Sequence, residues 1–178
     1  MELRVALTQL AIPRAPAPAY RLRTWTTEDG LPINQLSNIG QTPDGYLWFT
    51  TADGLVRFDG QRFTTFNKST DPAIPSNRMN ALCILPDGTM WIGTDSNGVV
   101  RYQNGKFTSF TTKDGLPDNG IRRIMIDDRG RLLALSRKLA WWNGQKFELD
   151  PSETFNDPDT ARFCRRGGSQ YWRIASGS

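Results

Sequence analysis

The chain has 178 residues, which suits one domain of ordinary size, and no run approaches the roughly 18 consecutive apolar residues of a membrane span. Hydrophobic residues make up only 38% of the sequence, but aromatics reach 11%, which favours a core built from a few large rings. The net charge of +4 comes from Lys and Arg scattered along the chain, whereas nucleic-acid binders cluster theirs on one face, so we expect no nucleic-acid partner. The sequence contains no histidine, the commonest general base and zinc ligand, and we expect no metal and no cofactor.

Residues 1–19 are predicted to form a leader or a linker. Their apolar stretch is short and is interrupted by Thr8 and Gln9, and an Ala-Pro alternation follows from Ala15 to Ala19. Such alternation is typical of a stiff linker or of the region around a cleavage site. As an export signal this stretch is weak.

From residue 20 onwards the sequence repeats itself every 42 or 43 residues. The phrase TPDGYLWFTT returns as LPDGTMWIGT, and fainter copies follow as RLLALS and QYWRIAS. The period is read from two sets of turn residues, Gly45, Gly88 and Gly130, and Pro32, Pro75 and Pro117. The units span about 30–72, 73–114 and 115–157, with a partial unit at 158–178.

Each unit is predicted to contain four short antiparallel strands. Asp-Gly or Asn-Gly pairs lie between aromatic-bearing runs, and such pairs are strong hairpin signals because their turn needs positive φ at both central residues. Pro-Asp-Gly turns mark a second hairpin, and the runs alternate with period 2 rather than 3.6. The strands predicted for the first unit are Leu36–Gln41, Tyr46–Thr51, Leu55–Phe58 and Arg62–Phe66.

Four strands in every 40 to 45 residues is the signature of a β-propeller blade, so the fold class is all-β. Helical solenoids need a period of 3.6, and sandwiches do not repeat at a fixed period. Trp25 lies five residues before Gly30, as Phe110 lies five before Gly115, which predicts an outermost strand at Trp25. The chain is therefore expected to form about three and a half blades of an incomplete propeller.

The first unit resembles the repeat of the two-component regulator propeller family. That pattern reads G-L-P, an apolar strand, D-G-x-L-W-I-G-T, G-L, an aromatic residue and D-G. The matching residues are Leu31-Pro32, Asp44-Gly45, Leu47-Trp48, Gly54-Leu55 and Phe58-Asp59-Gly60. The resemblance implies the periplasmic or extracellular sensor half of a hybrid two-component system, with carbohydrate as its ligand class.

An incomplete ring exposes blade faces and strand edges, which leaves three explanations open. The sequence is a fragment of a longer sensor, or a short chain that pairs with a second copy to complete a ring, or a degenerate gene product. A closed propeller of four to eight blades would satisfy the exposed faces in the first two cases.

Two residue types recur at fixed blade positions and are interpreted as structural. Trp48, Trp91 and Trp172 follow the second-strand turn, where a repeated bulky residue packs one blade on the next more often than it stacks on a sugar. Cys83 and Cys164 lie eight residues before Trp91 and Trp172. Equivalent positions two repeats apart are too distant for a disulfide, so both are expected to be free thiols.

Candidate ligand-binding residues lie where each unit enters its innermost strand. They are polar, they follow the repeated prolines, and they are expected at the mouth of the central channel, where repeat architectures collect ligand contacts. The candidates are Asn34, Gln35, Asn77, Arg78, Asn119, Arg122 and Arg123.

The function predicted from the sequence is a ligand-sensing propeller module that binds oligosaccharide and lacks its output domains. The alternative is a structural half-propeller that assembles as a homodimer or with another chain. A third reading follows from TPDGYLWFT, which resembles a blade phrase of streptogramin lyases. Those lyases rely on a histidine that this chain lacks, so no catalytic residue is assigned and the protein is not expected to be an enzyme.

Overall fold

The computed structural model describes residues 23–127, 129–154, 162–166 and 170–174, with side chains for 23–127 and 129–150. The predicted leader at 1–19 lies outside the described residues. Two short 3₁₀ turns, Thr27–Asp29 and Thr112–Asp114, precede the G-L-P phrases of the first and third units. The strands are β1 (Leu36–Gln41), β2 (Leu47–Thr51), β3 (Gly54–Phe58), β4 (Phe63–Phe66), β5 (Met79–Ile84), β6 (Met90–Thr94), β7 (Val99–Gln103), β8 (Lys106–Phe110), β9 (Arg123–Ile126), β10 (Leu132–Leu135), β11 (Lys138–Trp142), β12 (Phe147–Thr154), β13 (Arg162–Arg166) and β14 (Gln170–Ile174).

The strands form three four-stranded antiparallel sheets and one two-stranded sheet. Their orders are β1-β2-β3-β4, β5-β6-β7-β8, β9-β10-β11-β12 and β13-β14, each following the chain. This arrangement confirms the prediction of an all-β fold with propeller-type blades. The strands predicted for the first unit agree with β1–β4 to within one residue at each end.

The prediction of an outermost strand at the start was wrong in one respect. Residues 23–26 are not a strand, because pairing needs a neighbour and no described strand lies beside them. The Trp25 ring nevertheless packs edge-on against Phe58, with 5.2 Å between ring centres. Phe110 packs in the same way against Trp142 of the next blade, at 4.8 Å, so Trp25 keeps the contact without the strand.

The hydroxyl residues that end the repeated phrase close the turn between the second and third strands. Thr51 Oγ1 donates to the carbonyl of Gly54 at 2.9 Å, and Thr94 Oγ1 donates to that of Gly98 at 2.8 Å. Ser136 does the same for Lys138 at 3.2 Å. All three hydroxyl residues are buried, so these bonds satisfy polar groups that would otherwise be costly.

Blades pack face to face through layers of aromatic and aliphatic side chains. Between the first and second blades, Trp48 stacks on Phe66 and lies 5.5 Å from Tyr102. Between the second and third, Trp91 lies 5.1 Å from Trp142. The second blade is thus covered on both faces, as a propeller blade requires.

One pair of facing residues on the second and third strands differs between the blades. Trp48 is opposite Arg57, and Trp91 is opposite Arg101. The third blade has Leu133 and Trp141 at these places, so its tryptophan lies on the other strand of the pair. Its ring receives the guanidinium of Arg131 at 5.7 Å, which restores a cation–π contact.

The innermost strands of neighbouring blades are joined by asparagine side chains. Asn38 Nδ2 donates to the carbonyl of Asn80, and Asn80 Nδ2 donates to the carbonyl of Ile121 at 3.2 Å. Asn80 lies where the β5–β6 register shifts, so its carbonyl is released from the ladder to accept this bond. Among the described residues, no helix has the length and apolar character needed to cross a membrane.

We expect Gly98→Ala to destabilise the fold far more than Gly105→Ala. Both glycines have positive φ, 81° and 77°, so alanine costs about 1 kcal/mol at each from the left-handed backbone. A Cβ on Gly98 would also lie 2.0 Å from the carbonyl oxygen of Phe110, whereas one on Gly105 would meet nothing within 4 Å. Gly98→Ala should therefore cost about 3 kcal/mol or more. Urea unfolding measures both, and equal losses would contradict the contact.

We expect Asp127 to contribute stability that acid removes. Burial acts to raise the pKa of Asp127, but hydrogen bonds from the backbone and side chain of Arg131 outweigh it and hold that pKa below its ordinary value. Stability from a depressed carboxyl pKa is present above the unfolded-state pKa and is lost as pH falls through the folded-state pKa. Asp127→Asn should cost about 1–2 kcal/mol at pH 7. The gap between wild type and variant should shrink towards pH 3 in urea unfolding, and a constant gap would refute the assignment.

Candidate ligand-binding site

Strand order places two sets of connections at one end of the blades, which we call the upper rim. It comprises the loops 67–78 and 111–122, which join the fourth strand of one blade to the first strand of the next. It also comprises the turns 52–53, 95–98 and 136–137 between second and third strands. The opposite end, the lower rim, carries the remaining turns. The seven candidate residues, expected at the mouth of the central channel, all lie at the upper-rim end of their blades, in the segments that lead into β1, β5 and β9 or at the start of β9.

Three of the candidates, Asn34, Asn77 and Asn119, hold their own loops together. Each side-chain oxygen accepts a bond from a backbone N–H at the other end of the loop. The donors are Thr27, Lys68 and Thr112, at 2.9, 3.0 and 3.0 Å. The repeated asparagine therefore has a structural task in all three units. In the second unit the amide nitrogen of Asn77 also donates to Asp53 Oδ1 at 3.2 Å.

Arg122 lines a cavity of about 210 Å³ at the upper rim, between the second and third blades. The cavity wall brings together one strand, two turns and one loop of these blades. Its residues are Asn80, Asp95, Asp118, Gly120, Arg122 and Arg137. Arg78 lies beside it, with its Nε 3.2 Å from Asp95 Oδ2.

The cavity wall contains both positively and negatively charged side chains, and these are exposed to solvent. Arg137 Nε lies 3.8 Å from Asp118 Oδ2, and the Arg137 side chain is 83% exposed. Exposed pairs of this kind contribute little to stability, so the charged groups remain able to exchange partners. Asp118 is held in place because its Oδ1 accepts the backbone N–H of Gly120 at 2.9 Å.

The structure does not bring all seven predicted residues to one place. Arg122 lines the cavity and Arg78 borders it, whereas Asn34 and Gln35 are exposed on the first blade and Arg123 lies on β9. Besides Gly120, sequence reasoning missed four polar side chains of the wall, those of Asn80, Asp95, Asp118 and Arg137. Asp118 stands next to Asn119 in the repeated phrase, so its position was a usable signal.

The tryptophans and cysteines lie as follows. Trp48 and Trp91 are each 3% exposed, and Trp48 Nε1 donates to Thr42 Oγ1 at 3.0 Å. Cys83 pairs with Trp91 in the β5–β6 register, is a free thiol, and has its pKa raised by burial. Cys164 pairs with Trp172 in the β13–β14 register, and both side chains lie outside the described residues. The described residues include no group of three or more acidic, cysteine or histidine side chains placed to bind a metal.

The fold is that of β-propeller blades, and the repeat identifies their kind. Residues 73–96 match the model of the two component regulator propeller family. Residues 73–96 thus carry one repeat of this kind, which confirms the resemblance seen in the sequence. No curated protein matches the chain.

Several solved structures share this fold. The extracellular domain of a putative hybrid two component system from B. thetaiotaomicron has 24% identity and a TM-score of 0.65, over 80% of this chain and 19% of that one. The extracellular domain of a putative one component system from the same organism has 16% identity and a TM-score of 0.59, over 83% and 25%.

Virginiamycin B lyase from Staphylococcus aureus has 16% identity and a TM-score of 0.58, over 82% of this chain and 50% of the lyase. A catalytically inactive form of that lyase, in which a histidine is replaced by alanine, has been solved with quinupristin and matches equally well. The present chain therefore spans between a fifth and a half of the length of these proteins.

We expect Asn119→Ala to lower stability by about 1 kcal/mol, because the Thr112 N–H loses its acceptor. Asn119→Asp keeps an oxygen at the same place and should recover most of the loss. Thermal unfolding of the two variants beside the wild type measures this difference. Equal stability of the alanine and aspartate variants would show that the loop bond is unimportant.

Proposed function

We propose that this chain is the ligand-recognising part of a two-component-type sensor and that its ligand is a carbohydrate. The observation that carries the proposal is the upper-rim cavity, where Asp95, Asp118, Asn80, Arg122 and Arg137 converge from two blades. The matched repeat and the shared fold with extracellular domains of two-component systems support a place on the outer side of the membrane.

The mixed polarity of the wall is suited to hydroxyl groups. A sugar hydroxyl donates to a carboxylate and accepts from a guanidinium at the same time, so one ligand can satisfy both kinds of side chain. Binding would replace the long Arg137–Asp118 contact by closer bonds to the ligand. Since the wall spans two blades, a bound ligand would also fix their spacing at the rim.

Assembly with another copy or another chain is the second candidate function. Two large apolar side chains on the innermost strand of the first blade favour it, since Ile39 is 66% exposed and Leu36 is 41% exposed. Burial of such residues in a second surface would be favourable. A solution mass at twice the chain mass would support pairing with a second copy, and a single-chain mass at micromolar concentration would rule that pairing out.

A lyase activity is not proposed. The lyase whose fold is shared loses catalysis when one histidine becomes alanine, and the present sequence has no histidine. The described upper rim offers carboxylates and guanidinium groups, which bind polar ligands without a general base of neutral pKa.

The test is an oligosaccharide binding screen by calorimetry with Asp118→Asn and Arg122→Gln. Asp118→Asn keeps the oxygen that accepts from Gly120 but removes the charge, so the loop should persist while ligand affinity falls about tenfold. Arg129→Gln is the control, because Arg129 is an exposed arginine on the lower rim of the same blade. If an oligosaccharide binds and both upper-rim variants keep full affinity, the site assignment fails.

A further inference from the structure

A second cavity, of about 230 Å³, opens at the lower rim between the first and second blades. Three aromatic side chains, Tyr46, Trp48 and Tyr102, contribute to its wall, together with Arg57. The turns of the two blades, with Asp44 and Asp87, form its edge. This lower-rim cavity shares no wall residue with the upper-rim cavity.

Arg57 is the unusual member of the wall. Its guanidinium carbon lies 4.7 Å from the ring centre of Tyr46, 5.9 Å from that of Phe66 and 6.0 Å from that of Trp48. Its Nε is buried without a hydrogen-bond partner among the described residues, and the Nε of Arg101, at the equivalent position of the second blade, is buried in the same way. Aromatic faces attract the charge of Arg57 but cannot replace a hydrogen-bond acceptor, so the terminal nitrogens of its guanidinium, on the cavity wall, are the donors left to a ligand.

The carboxylates at the edge of the cavity are fixed by their own turns. Asp44 Oδ1 accepts from Thr42 Oγ1, and the two oxygens of Asp87 accept from the backbone and the hydroxyl of Thr89. They therefore present fixed negative charge next to the positive charge of Arg57. A carboxylate ligand would be repelled by the two aspartates, and an ammonium ligand would be repelled by Arg57.

A neutral ring that bears hydroxyl groups is suited to all of these groups. Its hydroxyls accept from Arg57 and donate to Asp44, while its C–H face lies against the aromatic wall. The volume lies below the 300 Å³ or more that is usual for larger ligands, which favours a single ring. We propose that the lower-rim cavity binds one uncharged pyranose unit. This proposal does not rest on the upper-rim site.

The next interface along the chain shows how the cavity can be filled. Trp142 stands there at the place of Tyr102, and Thr89 stands at the place of Tyr46. The Trp142 ring centre lies 5.1 Å from Trp91 and 4.8 Å from Phe110. Tyr102 lies farther from the equivalent rings, at 5.5 Å from Trp48 and 6.3 Å from Phe66. The larger indole thus occupies space that the phenol leaves open.

Tyr102→Trp is therefore a variant that should fold and lose the ligand. The third blade already accommodates tryptophan at this position, so the melting temperature should stay close to that of the wild type. Arg57→Leu is the second variant, and removal of its charged donor should weaken binding about tenfold. Both variants are made alone and in the Asp118→Asn background, in which the upper-rim site is weakened, so that the signal left in that background reports the lower rim.

The experiment is saturation-transfer NMR on the full chain with the methyl pyranosides of glucose, galactose and mannose. Methyl glucuronide and methyl glucosaminide are the charged comparisons. We expect transfer to the ring C–H protons of at least one neutral pyranoside, a several-fold weaker signal from the charged ones, and loss of the remaining signal when Tyr102→Trp is added to Asp118→Asn.

Three results would overturn the proposal. One is the absence of transfer to all three neutral pyranosides. Another is a signal in Asp118→Asn that persists unchanged when Tyr102→Trp is added to it and the double variant is folded. The third is a signal lost in Asp118→Asn but kept in Tyr102→Trp and Arg57→Leu, which would assign all sugar binding to the upper rim and leave the proposed function standing.

Discussion

The packing of one sheet face on the next is the interaction on which the rest of the structure depends. A four-stranded sheet with apolar side chains on both faces cannot be stable alone, because it needs a neighbour on either side. Trp48 and Trp91 meet this need at two successive interfaces, where each lies against aromatic rings of its own blade and of the next. Both cavities lie at the margins of these interfaces, so the same packing that stabilises the blades also positions the candidate sites.

Much of the fold could be predicted from the sequence because its signals are local. Asp-Gly and Asn-Gly turns need positive φ, and the repeat carries them at a fixed period, so strand number and order followed directly. The segment at Trp25 shows the limit of this reasoning. Its sequence fits a strand, but a strand also needs a partner, and partners are not a property of the segment itself.

The candidate site was predicted less well, for a physical reason. A repeated polar residue after each proline is suited both to binding a ligand and to closing a loop, and the sequence does not separate these tasks. Asn119 closes its loop through Thr112, while its neighbour Asp118 faces the cavity. Asp95 and Arg137 come from turns of different blades, and only the three-dimensional arrangement brings them together. Arg57 lies on β3 opposite Trp48 with its Nε buried among aromatic rings, a position that the sequence alone did not reveal.

The exchange of tryptophan and arginine for leucine and tryptophan in the third blade has a consequence for how such proteins can change. Each blade face packs against one neighbouring blade. The pair Leu133 and Trp141 gives the third blade a different surface shape from the one that Trp48 and Arg57 give the first. The units are therefore related in sequence without being interchangeable parts. A duplicated or transplanted blade would pack well only where both of its faces are complementary in shape to the blades on either side. The order of the blades is thus determined by side-chain complementarity at their interfaces as well as by the connectivity of the chain.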